Sequence, residues 1–298
     1  MICIALAVLH VHACAQFSDP RTYQNTPVGI NQLELAYAYV RSNTSIDTSI
    51  VIPGAKFNLN QGYIDYSHYF AFLRRTSWVE ASVPVANLNG SVAGTIIKGS
   101  TTGAGDSTYA AAILIKGGPA MSPAQFAKAE TTTSVGLSFS VTAPTGQYDP
   151  DKLLNLGSDR WSFKPELGVS KPFGPEQRWV FDAYVNGYVY TDNTSYRGAQ
   201  VLHQRGLVGL EGHISYTFND KIWTSLDTRA SFLGDTTISG VYQNDVQQNF
   251  IVGSELVVSP NSRNTLIVEF ATAAIHKNGP SLTGFAVKYD YSWGKGYR

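Results

Sequence analysis

Phe285-Ala286-Val287-Lys288-Tyr289-Asp290-Tyr291-Ser292-Trp293 is the stretch on which the fold turns. Its odd positions are large and apolar or aromatic. Its even positions carry Ala, Lys, Asp and Ser. Side chains of an extended strand alternate between two faces, so this segment has one apolar and one polar face. A helix would need apolar residues every three to four positions instead. Strict alternation of bulky groups suits a strand with one face in lipid and the other in a polar lumen.

The same alternation recurs upstream. Leu33, Leu35, Tyr37 and Tyr39 flank Glu34, while Val79, Ala81, Val83 and Val85 flank Glu80, with Trp78 on the polar side. Val135 to Val141, Trp161 to Val169, Trp179 to Val185, Val208 to Tyr216, Leu226 to Phe232, Phe250 to Val258 and Leu266 to Phe270 repeat it. The period predicts twelve strands, near 32–42, 62–73, 76–87, 108–116, 131–142, 160–171, 178–190, 204–218, 221–233, 246–258, 264–275 and 282–293. Links of two to six residues alternate with longer ones at 43–61, 88–107, 143–159, 191–203 and 234–245. Short periplasmic turns and long external loops are the rule in outer-membrane barrels. The links 117–130 and 276–281 depart from it, and the only helix expected is a short one at 123–130. The fold class is therefore all-β, a single transmembrane antiparallel barrel spanning 32–293.

Composition agrees. The 298 residues hold 22 Lys plus Arg against 22 Asp plus Glu, 15 % charged and 12 % aromatic, at a mean hydropathy of −0.10. The zero balance argues against a nucleic-acid partner. No uninterrupted apolar run reaches the roughly 18 residues of a membrane helix. Both cysteines, Cys3 and Cys14, lie in an apolar start ending Ala13-Cys14-Ala15. Residues 1–15 read as a secretory signal, 16–31 as an N-terminal segment and 294–298 as a short tail. Without the signal the chain has no cysteine, which leaves no thiolate metal site.

No cofactor or metal centre is expected. His68, His203, His213 and His276 show no His-x-x-x-His spacing, and Gly-x-Ser-x-Gly is absent. The enzyme alternative is an outer-membrane hydrolase of phospholipase type using His213 and Ser215, which needs both outside the barrel. The strand phase puts them inside. His68 falls on the lipid face, where a register error or bulge is suspected.

The phase also assigns a lumen. Glu34, Asp65, Glu80, Glu166, Asp182, Glu211, Asp227, Glu255, Glu269 and Asp290 point inward, with Lys116, Lys164, Arg205, Arg229 and Lys288 opposing them. Trp78, Tyr184, Tyr188, Tyr190 and His213 join this lining. An acidic pore favours cations, whereas cross-strand pairing would simply fill a narrow barrel. Outward Trp161, Trp179, Tyr216, Tyr289, Tyr291 and Trp293 read as membrane girdles. Asp149, Asp151 and Asp159 cluster in one loop, as a calcium site or as solvated acids.

Thr142-Ala-Pro144-Thr-Gly146-Gln-Tyr-Asp149, Asn155-Leu-Gly157 and Trp161-Ser-Phe-Lys-Pro165 resemble the outer-membrane channel family named for a meta-pathway of phenol degradation. Gly103-Ala-Gly105-Asp106, Tyr196-Arg-Gly198 and Val83-Pro84-Val85 are similar to further elements of it. The resemblance implies a Gram-negative outer-membrane barrel passing small hydrophobic or aromatic molecules, and supplies no binding residues. The usual terminal aromatic would be Trp293, yet Gly294 to Arg298 follow it. The expected function is passive, porin-like transport. The partners are outer-membrane lipid, a small solute and the barrel-assembly machinery. A plugged structural surface barrel is the other non-enzyme alternative, since residues 16–31 could occupy the pore.

Overall fold

Alternation forces extended chain, and extended chain must satisfy every backbone N–H and C=O; in lipid only a closed sheet does so. The computed structural model describes residues 18–44, 51, 54–93, 98–152 and 154–296, and the signal reading of 1–15 lies outside them. Its elements are β1 (Ile30–Ser42), β2 (Ala55–Phe72), β3 (Arg75–Val92), β4 (Lys98–Ala104), β5 (Ser107–Lys116), α1 (Pro123–Phe126), β6 (Ser134–Ala143) and β7 (Ser162–Phe173). There follow β8 (Trp179–Tyr190), β9 (Asn193–Tyr196), β10 (Gln200–Gln204), β11 (Leu207–Asn219), β12 (Ile222–Leu233), β13 (Thr236–Ile238), β14 (Val241–Tyr242), β15 (Gln247–Asn261), β16 (Asn264–Lys277) and β17 (Leu282–Gly294).

Every ladder is antiparallel, and β1 closes on β17 from Ile30↔Gly294 to Ser42↔Leu282. β4 and β5 both pair with β3 and act as one interrupted stave, which makes a closed barrel of twelve. β9, β10, β13 and β14 form a separate sheet above the barrel in what read as loops 191–203 and 234–245. The expected helix at 123–130 is the single turn α1, started by Ser122, whose N–H bonds Gln125 Oε1 at 2.9 Å.

The stretches read as loops 43–61 and 88–107 are corrected. β2 begins at Ala55, β3 runs to Val92, and β4 adds seven residues. Their polarity is reversed, which disguised them. Outward Asn58, Asn60 and Asn87 bond Tyr39, Tyr37 and Thr102 at 3.0, 2.7 and 2.7 Å. Inward Val40, Phe57, Leu59, Leu88 and Val92 form an apolar core with Leu154 and Leu156 of the 144–161 loop. A sheet that is polar outside and apolar inside belongs in water. The barrel wall thus continues above the lipid as a cap with a core of its own.

Below the cap the ordinary membrane pattern holds. Leu35, Ile64, Val83, Leu137, Phe181, Leu210 and Phe285 are exposed on the outer face. His68 stays on that face without a bulge: its pairings Asn31↔His68 and His68↔Val79 are in register. Asn31 Oδ1 meets its Nδ1 at 2.9 Å and accepts Tyr66 Oη at 2.8 Å, beside Trp293. The residue is thereby satisfied inside an aromatic girdle.

Candidate functional site

The inner wall carries the acids that the strand phase assigns to it. Glu34, Asp65, Glu80, Glu166, Asp182, Glu211, Asp227, Glu255, Glu269 and Asp290 are all buried, as are Trp78, Tyr184, His213 and Arg229. Direct cross-strand neighbours are among them: Glu34 faces Asp290 on one side and Asp65 on the other. Lys164 sits 2.9 Å from Glu166, and His213 Nδ1 lies 2.9 Å from Asp227 Oδ1. Arg229 stacks near Tyr188, with 5.7 Å to its ring. Two cations read as inward are not. Arg205 is exposed at the loop-end rim, 3.8 Å from Asp235, and Lys116 is exposed where β5 slips register at the turn end.

The lower lumen is not empty. Residues 18–29 form a strap that climbs from the start of β1 to mid-lumen. Ser18 N–H donates to Glu211 and its hydroxyl to Glu166, both at 2.8 Å. Asp19 receives Lys288 Nζ at 3.1 Å, and Lys288 also lies 3.3 Å from Glu269. Arg21 N–H donates to Asp182 at 3.1 Å, and its guanidinium to Ser215 at 2.7 Å and Thr217 at 2.9 Å. The same guanidinium lies 4.3 Å over the Trp223 ring. Asn25 Oδ1 accepts Thr76, and Val28 N–H bonds Met121 O of the 117–133 link. Of the wall acids near the strap, Glu211, Glu166 and Asp182 receive a donor from it, and Asp227 is held by His213. The alternation reading misses Asp19, Arg21 and Tyr23, because the strap has no period of its own.

This placement bears on catalysis. Ser215 lies inside the barrel, engaged by Arg21, and His213 is held by Asp227. Neither is on the outer rim that a phospholipase mechanism needs. The outward aromatics gather at the turn end of the barrel: Trp179 packs on Tyr216 and Phe173 at 4.7 and 6.3 Å, and Tyr291 stacks on Trp293 at 5.7 Å. Tyr289 and Trp161 are exposed on the outside as well.

The motif loop is a latch. Asp106, at the break between β4 and β5, accepts Gly146 N–H at 2.8 Å, Ser158 N–H at 2.8 Å and Ser158 Oγ at 2.6 Å. Gly146 and Gly157 touch there, so a Cβ on either would meet backbone. Pro144-Thr-Gly146, Gly157-Ser158 and Gly105-Asp106, distant in sequence, are one joint. The loop acids do not gather as a calcium site. Asp149 pairs with Lys152 at 2.9 Å, Asp159 bonds Ser195, and no metal-competent cluster occurs among the described residues. Lys152, by hydrogen bond, holds the exposed Asp149 carboxyl below its ordinary range. That pair persists at neutral pH and is lost as pH falls through the lowered value.

Asp106→Ala leaves two buried-edge N–H groups and a hydroxyl without their acceptor, a loss of about 1.5–3 kcal/mol per charged hydrogen bond. The 144–161 loop is expected to become protease-sensitive while the barrel keeps its heat-modifiable migration on a gel. Unchanged protection of the loop would refute the latch.

Comparisons fit this geometry. An outer membrane channel from Pseudomonas putida F1 superposes with a TM-score of 0.79 at 20 % identity, covering 93 % of this chain and all of that one. The β domain of the Bordetella autotransporter BrkA superposes with a TM-score of 0.53 at 10 % identity, covering 88 % of this chain and 99 % of its own. At these identities the likeness is one of fold. No curated protein matches. The family model described as "Putative MetA-pathway of phenol degradation" matches residues 41–289, and the chain belongs to that family.

Proposed function

We propose that this protein is an outer-membrane channel for passive movement of small molecules, closed at its lower end by its own strap. The outer membrane of a Gram-negative cell is its place, reached after removal of the signal at 1–15. The observation that carries the reading is the chemistry of the strap's seat. Residues 18–21 are held by hydrogen bonds and one buried ion pair to the wall, not by a greasy core. Polar contacts can be exchanged for water or solute, which solvate the same groups, although each hydrogen bond to a charged partner is worth about 1.5–3 kcal/mol net. A permanently solid barrel would be better served by apolar packing. The wall acids left behind would line the opened path, and the inward Trp78, Tyr184, Tyr188 and Tyr190 would border it. Small solutes with an aromatic or apolar part suit that lining.

Proteoliposomes holding the full chain test the reading. Uptake of small aromatic solutes is expected to exceed that of protein-free vesicles and of sugars of similar size. Flux equal to protein-free vesicles for every solute would favour the plugged structural barrel.

A further inference from the structure

Tyr23 is seated in a mould. Its ring lies over Gly136 and Gly168, direct partners across the β6–β7 ladder, and a Cβ on either glycine would run into the ring. Glycine inside a strand weakens it and commonly marks close approach by another group. Leu114 and Trp78 close the sides, with Trp78 at 6.0 Å and the Tyr184 edge at 5.2 Å between ring centroids. The Tyr23 hydroxyl donates to Glu166 Oε1 at 2.9 Å and shares a hydrogen bond with Ser138 Oγ at 2.8 Å. The whole residue is 0 % exposed.

The features that recognise this side chain are those of a phenol. Two glycines admit a flat ring, aromatic edges border it, and a carboxylate takes its O–H. The acceptor is also positioned without the strap. Lys164 at 2.9 Å and Asn186 at 3.1 Å both hold Glu166 Oε2, which leaves Oε1 directed at the niche. We propose that the niche is a binding site for small free phenols, which the strap fills with its own phenol group. A free phenol then competes with Tyr23, and its binding loosens the strap. The gating half of this idea rests on the strap closing the channel; the binding half does not.

Two expectations follow from the chemistry. A hydrocarbon ring of equal shape leaves Glu166 Oε1 and Ser138 without a donor, so the site discriminates against it. A tethered phenol also has an effective concentration of about millimolar or more, so the intact chain binds free phenol weakly. The test uses purified protein in detergent, with phenol and toluene as probes and thermal stabilisation or ligand-observed NMR as the readout. Tyr23→Ala is expected to bind phenol saturably, at least about tenfold more tightly than toluene, as sites built around a hydroxyl do. Adding Gly136→Ala or Gly168→Ala should abolish that binding, and the intact chain should bind phenol more weakly than Tyr23→Ala.

Equal binding of phenol and toluene, or phenol binding that survives both glycine fillings, overturns the proposal. If Tyr23→Ala does not fold, Tyr23→Phe serves. It keeps the ring, loses the Glu166 bond, and should yield to phenol at lower concentration than the intact chain; an unchanged concentration overturns the proposal equally. Because binding is read without a membrane, failed flux and a failed niche remain separate results.

Discussion

A chain lacking residues 18–26 is expected to pass a steady, cation-preferring current in a planar bilayer, and the intact chain much less. The deletion takes out Asp19, Arg21 and Tyr23 together, and with them the contacts that these residues make to the lumen wall. The barrel keeps its twelve staves, since the β1–β17 closure begins only at Ile30. What remains on the wall is ten buried carboxylates, from Glu34 to Asp290, against Lys164, Arg229 and Lys288. Carboxylate rings in water-filled pores admit cations and repel anions. Replacing Glu34, Glu255 and Glu269 by Gln in the shortened chain should lower the cation preference. A shortened chain that stays closed, or one that prefers anions, would sink the strap reading and the charge reading respectively.

Lys288→Met should free the strap without dismantling the barrel. The Lys288 ammonium is 0 % exposed and lies between Asp19 and Glu269. Removing one partner of a buried ion pair leaves an uncompensated charge, which costs about 3–5 kcal/mol. Glu269 is fixed in β16, whereas Asp19 is on a segment held by exchangeable polar contacts. The strain is relieved most cheaply by letting the strap go. Arg21, only 4 % exposed in the intact chain, becomes its reporter. Trypsin should cut after Arg21 in Lys288→Met, at a rate at least about a hundredfold above the intact chain if some 3 kcal/mol of seating is lost. Asp19→Asn combined with Lys288→Met should recover part of the protection. Full protection of Arg21 in the single variant would show that the pair does not seat the strap.

Lipid made the barrel legible. It demands an apolar residue at every second position, and Leu33, Val135, Leu210 and Phe285 supply it in phase with Glu34, Gly136, Glu211 and Ala286. The direction of each wall acid followed from that phase alone. Where lipid ends, the same period carries the opposite meaning, so Asn58, Asn60 and Asn89 pass for loop. The strap was hidden for another reason. Most of its partners lie more than a hundred residues away, as Ser18 to Glu211 shows, and no local pattern records such a pairing. Gly136 and Gly168 carry no signal of a niche in the sequence; only the closed sheet puts them side by side beneath Tyr23. Lys116 and Arg205 were misassigned because each stands at a strand end, where the alternation stops constraining direction.

The reversed polarity of the cap also fixes how deep the barrel sits. Sliding it inward by one pair of residues would carry Asn60 and its cross-strand partner Asn87 into hydrocarbon, at several kcal/mol for each polar group left unsatisfied there. Sliding it outward would bare Leu35, Ile64 and Val83 to water. Tyr37 and Tyr39, bonded to Asn60 and Asn58, stand at this boundary. It works as a waterline, setting how far the loops at the top of the barrel stand clear of the membrane surface.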